Sequence, residues 1–279
     1  MALSLLGAQL ATRDRSMQTL CVGQGAMFGV LLALGILGDV DSTASLIPFG
    51  AALVTSAVTF LFTDRLVLRQ MASRNTAFAY TFAFLLACSY LIGSLFPALE
   101  SHMAQIYFGD LATLTVPESK ATLAASVLFC LVLAISWRPF SRQSFESALF
   151  GEAIAARKAP QQMVLFKALT LVMLCISVQY LGFLFSISLL FLPTGILSLM
   201  KKKGLAPHLV LCAVVSAVSA LVGFSLSLWN TRLPTVPTIV VFVTGLSAVM
   251  VALDRAVFSL QAIKKGEAIR LSLNQEQKS

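Results

Sequence analysis

The sequence is short of charge. Of 279 residues only 11% are Asp, Glu, Lys or Arg, less than half the share usual in a soluble domain. With 58% of the chain apolar, too few polar side chains remain to cover a water-exposed surface. That excludes an ordinary soluble domain and a disordered chain. Histidine is scarce, at His102 and His208 only. The five cysteines (Cys21, Cys88, Cys130, Cys175 and Cys212) include no Cys-x-x-Cys pair and all lie in apolar runs. They read as buried free thiols rather than a secreted disulfide scaffold. No GxxxxGK[ST] occurs, so the chain has no phosphate-binding loop with which to hydrolyse ATP itself. HExxH, GxSxG and paired intramembrane carboxylates are missing too, which leaves intramembrane hydrolysis without its parts. Alternating ten-residue strands are absent, against an outer-membrane barrel.

What is present is a set of uncharged runs. Seven stretches hold no Asp, Glu, Lys or Arg: Ser16–Gly38, Ser42–Thr63, Asn75–Leu99, Ala121–Trp137, Ala168–Met200, Gly204–Thr231 and Leu233–Leu253. A membrane helix needs about 20 mostly apolar residues, so six of them fit one crossing each. The stretch Ala168–Met200 would make a helix of roughly 50 Å, too long for one crossing. It divides into helices near Met163–Gln179 and Phe183–Met200, with Tyr180-Leu181-Gly182 as the turn, since Gly tolerates a positive φ. The expected fold is therefore an all-α integral membrane protein of about eight transmembrane helices, a single domain over residues 1–279. Met1–Thr12 is apolar but too short to span. It reads as an interfacial segment or as part of a short or truncated extra N-terminal helix.

The charges that exist are placed with a strong bias. With Thr12–Thr19 inside and alternating sides thereafter, eighteen of the twenty basic residues face the cytoplasm; only Lys120 and Arg232 lie outside. That asymmetry fixes the orientation. It also explains the net charge of +8 as topogenic and lipid-facing rather than a nucleic-acid footprint. The outer loops carry Asp39, Asp41, Glu100, Asp110 and Glu118, an acidic face that concentrates cations. The spans keep no acid at their centres, which weighs against a carrier driven by a buried proton relay.

Two polar segments stand out. Residues 138–162 form the longest cytoplasmic insertion. Within it, Ser144–Arg157 reads as a short amphipathic helix with Phe145, Leu149 and Ile154 as its apolar stripe. Such a helix lies on the bilayer surface or docks a cytoplasmic partner. Outside, Pro97–Lys120 is the largest loop, with Glu100, His102, Tyr107, Phe108, Gly109 and Asp110. Carboxylate and imidazole together suit zinc or manganese, so Glu100, His102 and Asp110 are candidates for a transient first contact with a metal. A polar tail, 260–279, closes the chain.

Four stretches resemble, in order, the permease subunits of bacterial metal-ion ABC transporters of the zinc and manganese uptake class. Tyr107-Phe-Gly-Asp-Leu-Ala-Thr-Leu-Thr115 is similar to the family's FGDLL-type segment. Glu146-Ser-Ala-Leu-Phe-Gly-Glu-Ala153 resembles its cytoplasmic coupling segment. Ser188-Leu-Leu-Phe-Leu-Pro-Thr-Gly-Ile-Leu-Ser-Leu199 resembles its LLIIPAATA-type span, and Arg232-Leu-Pro-Thr-Val-Pro-Thr-Ile-Val240 its loop before the last span. Together they cover about Leu6–Met250. The resemblance implies a permease without enzymatic activity of its own in the bacterial inner membrane, working as a homodimer. It implies a separate cytoplasmic ABC ATPase docked on Glu146, Ala148, Gly151 and Glu152, and a periplasmic metal-binding protein outside. No bound cofactor is implied; a divalent metal ion is the cargo.

The departures from the family pattern are specific. Where the family has G-D-x-x-x-H at a helix start, this chain has Thr19-Leu-Cys-Val-Gly-Gln-Gly-Ala-Met-Phe-Gly29, with Leu20 at the Asp and Gln24 at the His. Ala77–Phe82 lacks the family's later His. A path without strong ligands suits a transporter that must release its ion. Softer groups are the other route: Met17, Cys21 and Met27 flank the same helix start, and 17, 21 and roughly 24 share a face. Cys21 and Gln24 are the candidate path residues, with packing as the alternative reading of Cys21. Zinc is the expected cargo; manganese or iron import, or a stand-alone secondary carrier, are the alternatives.

Overall fold

The computed structural model describes residues 1–13, 15–37, 46–68, 73–109, 115–150, 160–200, 204–230 and 233–276; for 257–276 and several other helix positions it describes the backbone alone. Among the described residues the secondary structure is helical throughout. The uncharged runs form α2 (Ser16–Leu37), α3 (Leu46–Leu68), α4 (Arg74–Leu95), α6 (Val116–Ile135), α8 (Pro160–Leu181), α9 (Phe183–Leu197), α10 (Leu205–Trp229) and α11 (Thr235–Glu276). Within the uncharged runs these helices are apolar on every side, the pattern of spans rather than of surface helices.

Six of them, α2, α3, α4, α8, α10 and the first half of α11, are long and apolar enough to cross a bilayer. α6 and the start of α7 (Trp137–Phe150) pass the same test only when taken together, across a bend of 72° that marks a broken span or a re-entrant loop. The eighth expected span, α9, has 15 residues. At 1.5 Å per residue it reaches only about 22 Å, so it is a partial crossing. The multi-pass membrane architecture therefore stands. The tail continues α11 as one helix to Glu276.

The expected break in the long run is where the sequence placed it. Gly182 has φ 87° and ψ 159°, a conformation open essentially to glycine alone. Its backbone lies directly against that of Gly109, which has φ 77°. A Cβ on either residue would strike the other's backbone or that of Leu181. The glycine of the Tyr107–Thr115 motif thus meets the glycine that separates α8 from α9.

The outer segment differs from the expected loop. Pro97–Leu99 is a 3₁₀ turn and Glu100–Phe108 is a helix, α5. At the other end, the N-terminal apolar segment is a helix, α1 (Ala2–Thr12), buried along Leu3, Leu6 and Leu10. It packs against α9 in a core shared with Phe140, Phe166, Leu190 and Ile239.

A second core surrounds α2. Val22, Ala26, Met27, Val30 and Leu34 pack with Ala52, Leu174 and Val178. The approach of α2 to α3 is close because Gly25 and Gly29 face Thr59, Thr55 and the backbone of Ala51. Thr55 Oγ1 donates to the Gly25 carbonyl at 2.7 Å. Small residues four apart with an interhelical hydroxyl bond are the usual means of joining membrane helices, where lipid offers no hydrophobic drive.

Candidate functional site

The enclosed position of α2 decides where its polar groups point. Gln24 has no solvent exposure. Its Nε2 donates to Ser89 Oγ of α4 at 3.4 Å, and its Oε1 is a buried acceptor without a partner. Cys21, one turn earlier, donates its Sγ–H to the Phe78 carbonyl of α4 at 3.1 Å. Behind them, Cys175 Sγ of α8 donates to Ser56 Oγ at 3.4 Å, and Ser56 donates to the Val22 carbonyl at 3.2 Å. The seam of α2, α3, α4 and α8 is thus lined by neutral oxygen and sulfur groups. A carbonyl oxygen left unpaired in such a place is costly unless something polar visits it.

The expected face shared by positions 17, 21 and 24 is only partly present. Met17 is 59% exposed, while Cys21 and Gln24 both address α4. Met27 is packed in the apolar core. Among the described residues no three His, Cys, Asp or Glu side chains converge as a metal cluster.

The outer candidates are reached only in part. Glu100 and His102 lie on α5, whose fold the structure describes without their side chains; Asp110 lies outside the described residues. The helix they share with Met103 and Tyr107 borders an open cavity of about 470 Å³. Tyr90, Ser94, Pro97, Met103, Tyr107 and Phe108 line it. Burial pushes the Tyr107 phenol above its ordinary pKa, and Tyr90 beside it adds to the rise.

At the opposite end the basic residues gather. Asp64 of α3 accepts from Arg15 at 3.1 Å and from Gln18 Nε2 at 2.8 Å, and Lys167 of α8 lies 3.5 Å away. Arg15 also contacts Gln18 Oε1. The ends that the charge bias assigns to the cytoplasm therefore lie together. The amphipathic α7 lies at this end and begins seven residues before the expected Ser144. Its Phe145 and Leu149 are 62% and 59% exposed, so the apolar stripe faces outward. The opposite face, Phe140, Gln143, Ser144 and Ser147, is buried. Glu146 pairs with Arg142 at 3.2 Å. Ala148 is on α7, its side chain not described, and Gly151, Glu152 and Ile154 lie outside the described residues.

Sequence comparison now decides the class, because the match spans the helices just described: residues 1–254 match the ABC 3 transport family. The chain belongs to that family. It is a membrane-spanning permease of the metal-ion ABC type that its motifs resemble, a transport subunit whose family works with an ATPase and a substrate-binding partner. Its fold is similar to a solved structure described as PsaBC from Streptococcus pneumoniae in complex with Fab. The TM-score is 0.72 over 89% of this chain and 85% of that chain, at 16% identity. At that identity the likeness concerns the permease fold. No curated protein matches the chain.

The seam partners Ser56, Ser89 and Cys175 were missed by sequence reasoning. Their signal was present: each is a small polar residue inside an uncharged run. Nothing local told them from the many other small polar residues in those runs.

Proposed function

We propose that this permease imports divalent metal ions, zinc by preference, driven by ATP hydrolysis in a separate subunit. The observation that supports it most is α7. It lies at the basic end of the bundle, one face anchored in the core and its apolar Phe145 and Leu149 outward. A cytoplasmic ATPase would dock there, through Glu146, Ala148, Gly151 and Glu152, as the family resemblance implies. A homodimer in the bacterial inner membrane and a periplasmic metal-binding protein belong to the same reading. Sulfur on α2 supports zinc over manganese, since the Cys21 thiol becomes a soft ligand when an ion displaces its proton, and a path must release its ion.

Replacing Phe145 and Leu149 together by Arg leaves membrane insertion intact and abolishes capture of the ATPase subunit. Undiminished capture would remove α7 as the docking helix. Zinc depletion in cells lacking the permease, measured by elemental analysis, checks the cargo; selective loss of manganese or iron would reassign it.

A further inference from the structure

One basic residue is not spent on topology. Arg13, directly after α1, is 4% exposed. Its Nε donates to Ser144 Oγ at 3.0 Å and an Nη donates to the Phe140 carbonyl at 3.2 Å, both on α7. Its guanidinium lies 3.7 Å over the ring of Phe166 on α8. The planar fork of Arg suits this geometry, since donors and a stacking face act at once. Burying a guanidinium is tolerated only when its donors are met. The inward face of α7 supplies two of the acceptors: a hydroxyl and a carbonyl.

Backbone bonds tie Arg13 and Arg15 to the same point of α1. The amides of Arg13 and Arg15 both donate to the Leu10 carbonyl at 3.1 Å, which holds the residue before α2 against the end of α1. Arg15 and Gln18 then tie the first turn of α2 to Asp64 on α3. Gln24 lies eight residues beyond Ser16, about 12 Å along the helix. A continuous run of hydrogen bonds and ion pairs therefore joins α7 to the helix carrying Cys21 and Gln24.

We propose that Arg13 is the positioning residue through which movement of α7 reaches α2, so that ATP binding below alters the neutral seam above. This rests on the reading of α7 as the ATPase docking helix. In it, α7, the α1–α2 turn and the start of α2 move as one body.

The test uses the assembled permease–ATPase complex in proteoliposomes, with the Zn²⁺-loaded metal-binding protein supplied and Zn²⁺ as the probe. Capture of the ATPase is measured first, so that failure of docking is seen separately. With docking retained, Arg13→Gln keeps ATP hydrolysis within about two-fold of the original, whereas Zn²⁺ imported per ATP falls ten-fold or more. Arg13→Lys, which keeps the charge but not the fork, recovers part of it. Unchanged import per ATP in Arg13→Gln overturns the proposal. A second measurement needs no change at Arg13. Spin labels at the exposed positions Met17 and Arg138, the latter on α7 away from its docking stripe, keep a fixed separation on ATP binding, while both move relative to a label at Leu253. A Met17–Arg138 distance that changes with ATP overturns it as well.

Discussion

Gly182→Ala is the sharpest single perturbation of this fold. The residue has φ 87° and ψ 159°, and holding an L side chain there costs on the order of 1–3 kcal/mol. The new Cβ would also meet the backbone of Gly109 and lie 3.1 Å from the Phe108 carbonyl carbon. Such overpacking costs about 1–3 kcal/mol more. The sum, about 2–6 kcal/mol, is a large part of the 5–15 kcal/mol that holds a typical domain together. The assay is equilibrium unfolding of the purified permease in mixed detergent micelles. Gly109→Ala should cost a similar amount, because its φ is 77° and its Cβ would strike the Leu181 carbonyl. The two sites share one contact, so the double variant costs less than the two singles together, by about 0.5–3 kcal/mol. A Gly182→Ala protein within about 0.5 kcal/mol of the original would refute the reasoning, as would strict additivity.

Other outcomes follow from the same geometry. Gln24→Leu removes a buried carbonyl oxygen that has no partner; stability stays level or rises, while Zn²⁺ uptake drops, and unaltered uptake would make Gln24 a packing residue. Asp64→Asn weakens the bonds from Arg15, Gln18 and Lys167 and costs about 1–3 kcal/mol in the same unfolding assay; a neutral result would mean that the pair is solvated. Gly29→Leu forces α2 and α3 apart at the Ala51 backbone, and loss of folded protein on size exclusion is the expected readout.

Much of the architecture was legible in the sequence because membrane helices announce themselves by what they exclude. Uncharged runs located the spans, and Gly182 marked the break inside the longest run. The outer helix α5 was not legible. Glu100-Ser-His-Met-Ala-Gln is too polar and too short to show a period. Nor did composition reveal that α9 stops at Leu197, three residues before the run loses its apolar character. The site was half legible. Motif alignment led to Gln24 and Cys21, but their partners Ser89 and Phe78 lie over 50 residues away on another helix. Arg13 was counted as topogenic charge; its contact with Ser144 spans 131 positions, and only packing brings the two together. The outward stripe on α7 followed from periodicity, whereas the burial of Ser144 on its other face makes sense only with the Arg13 guanidinium opposite.

The central claim is that ATP, spent in another subunit, moves metal through this chain. The most direct measurement is Zn²⁺ accumulation in proteoliposomes holding the permease, its ATPase and the metal-loaded binding protein. Accumulation that starts with ATP, stops when the ATPase is omitted and persists against an outward Zn²⁺ gradient is the predicted result. Uptake that follows an imposed ion gradient with the permease alone would contradict the account.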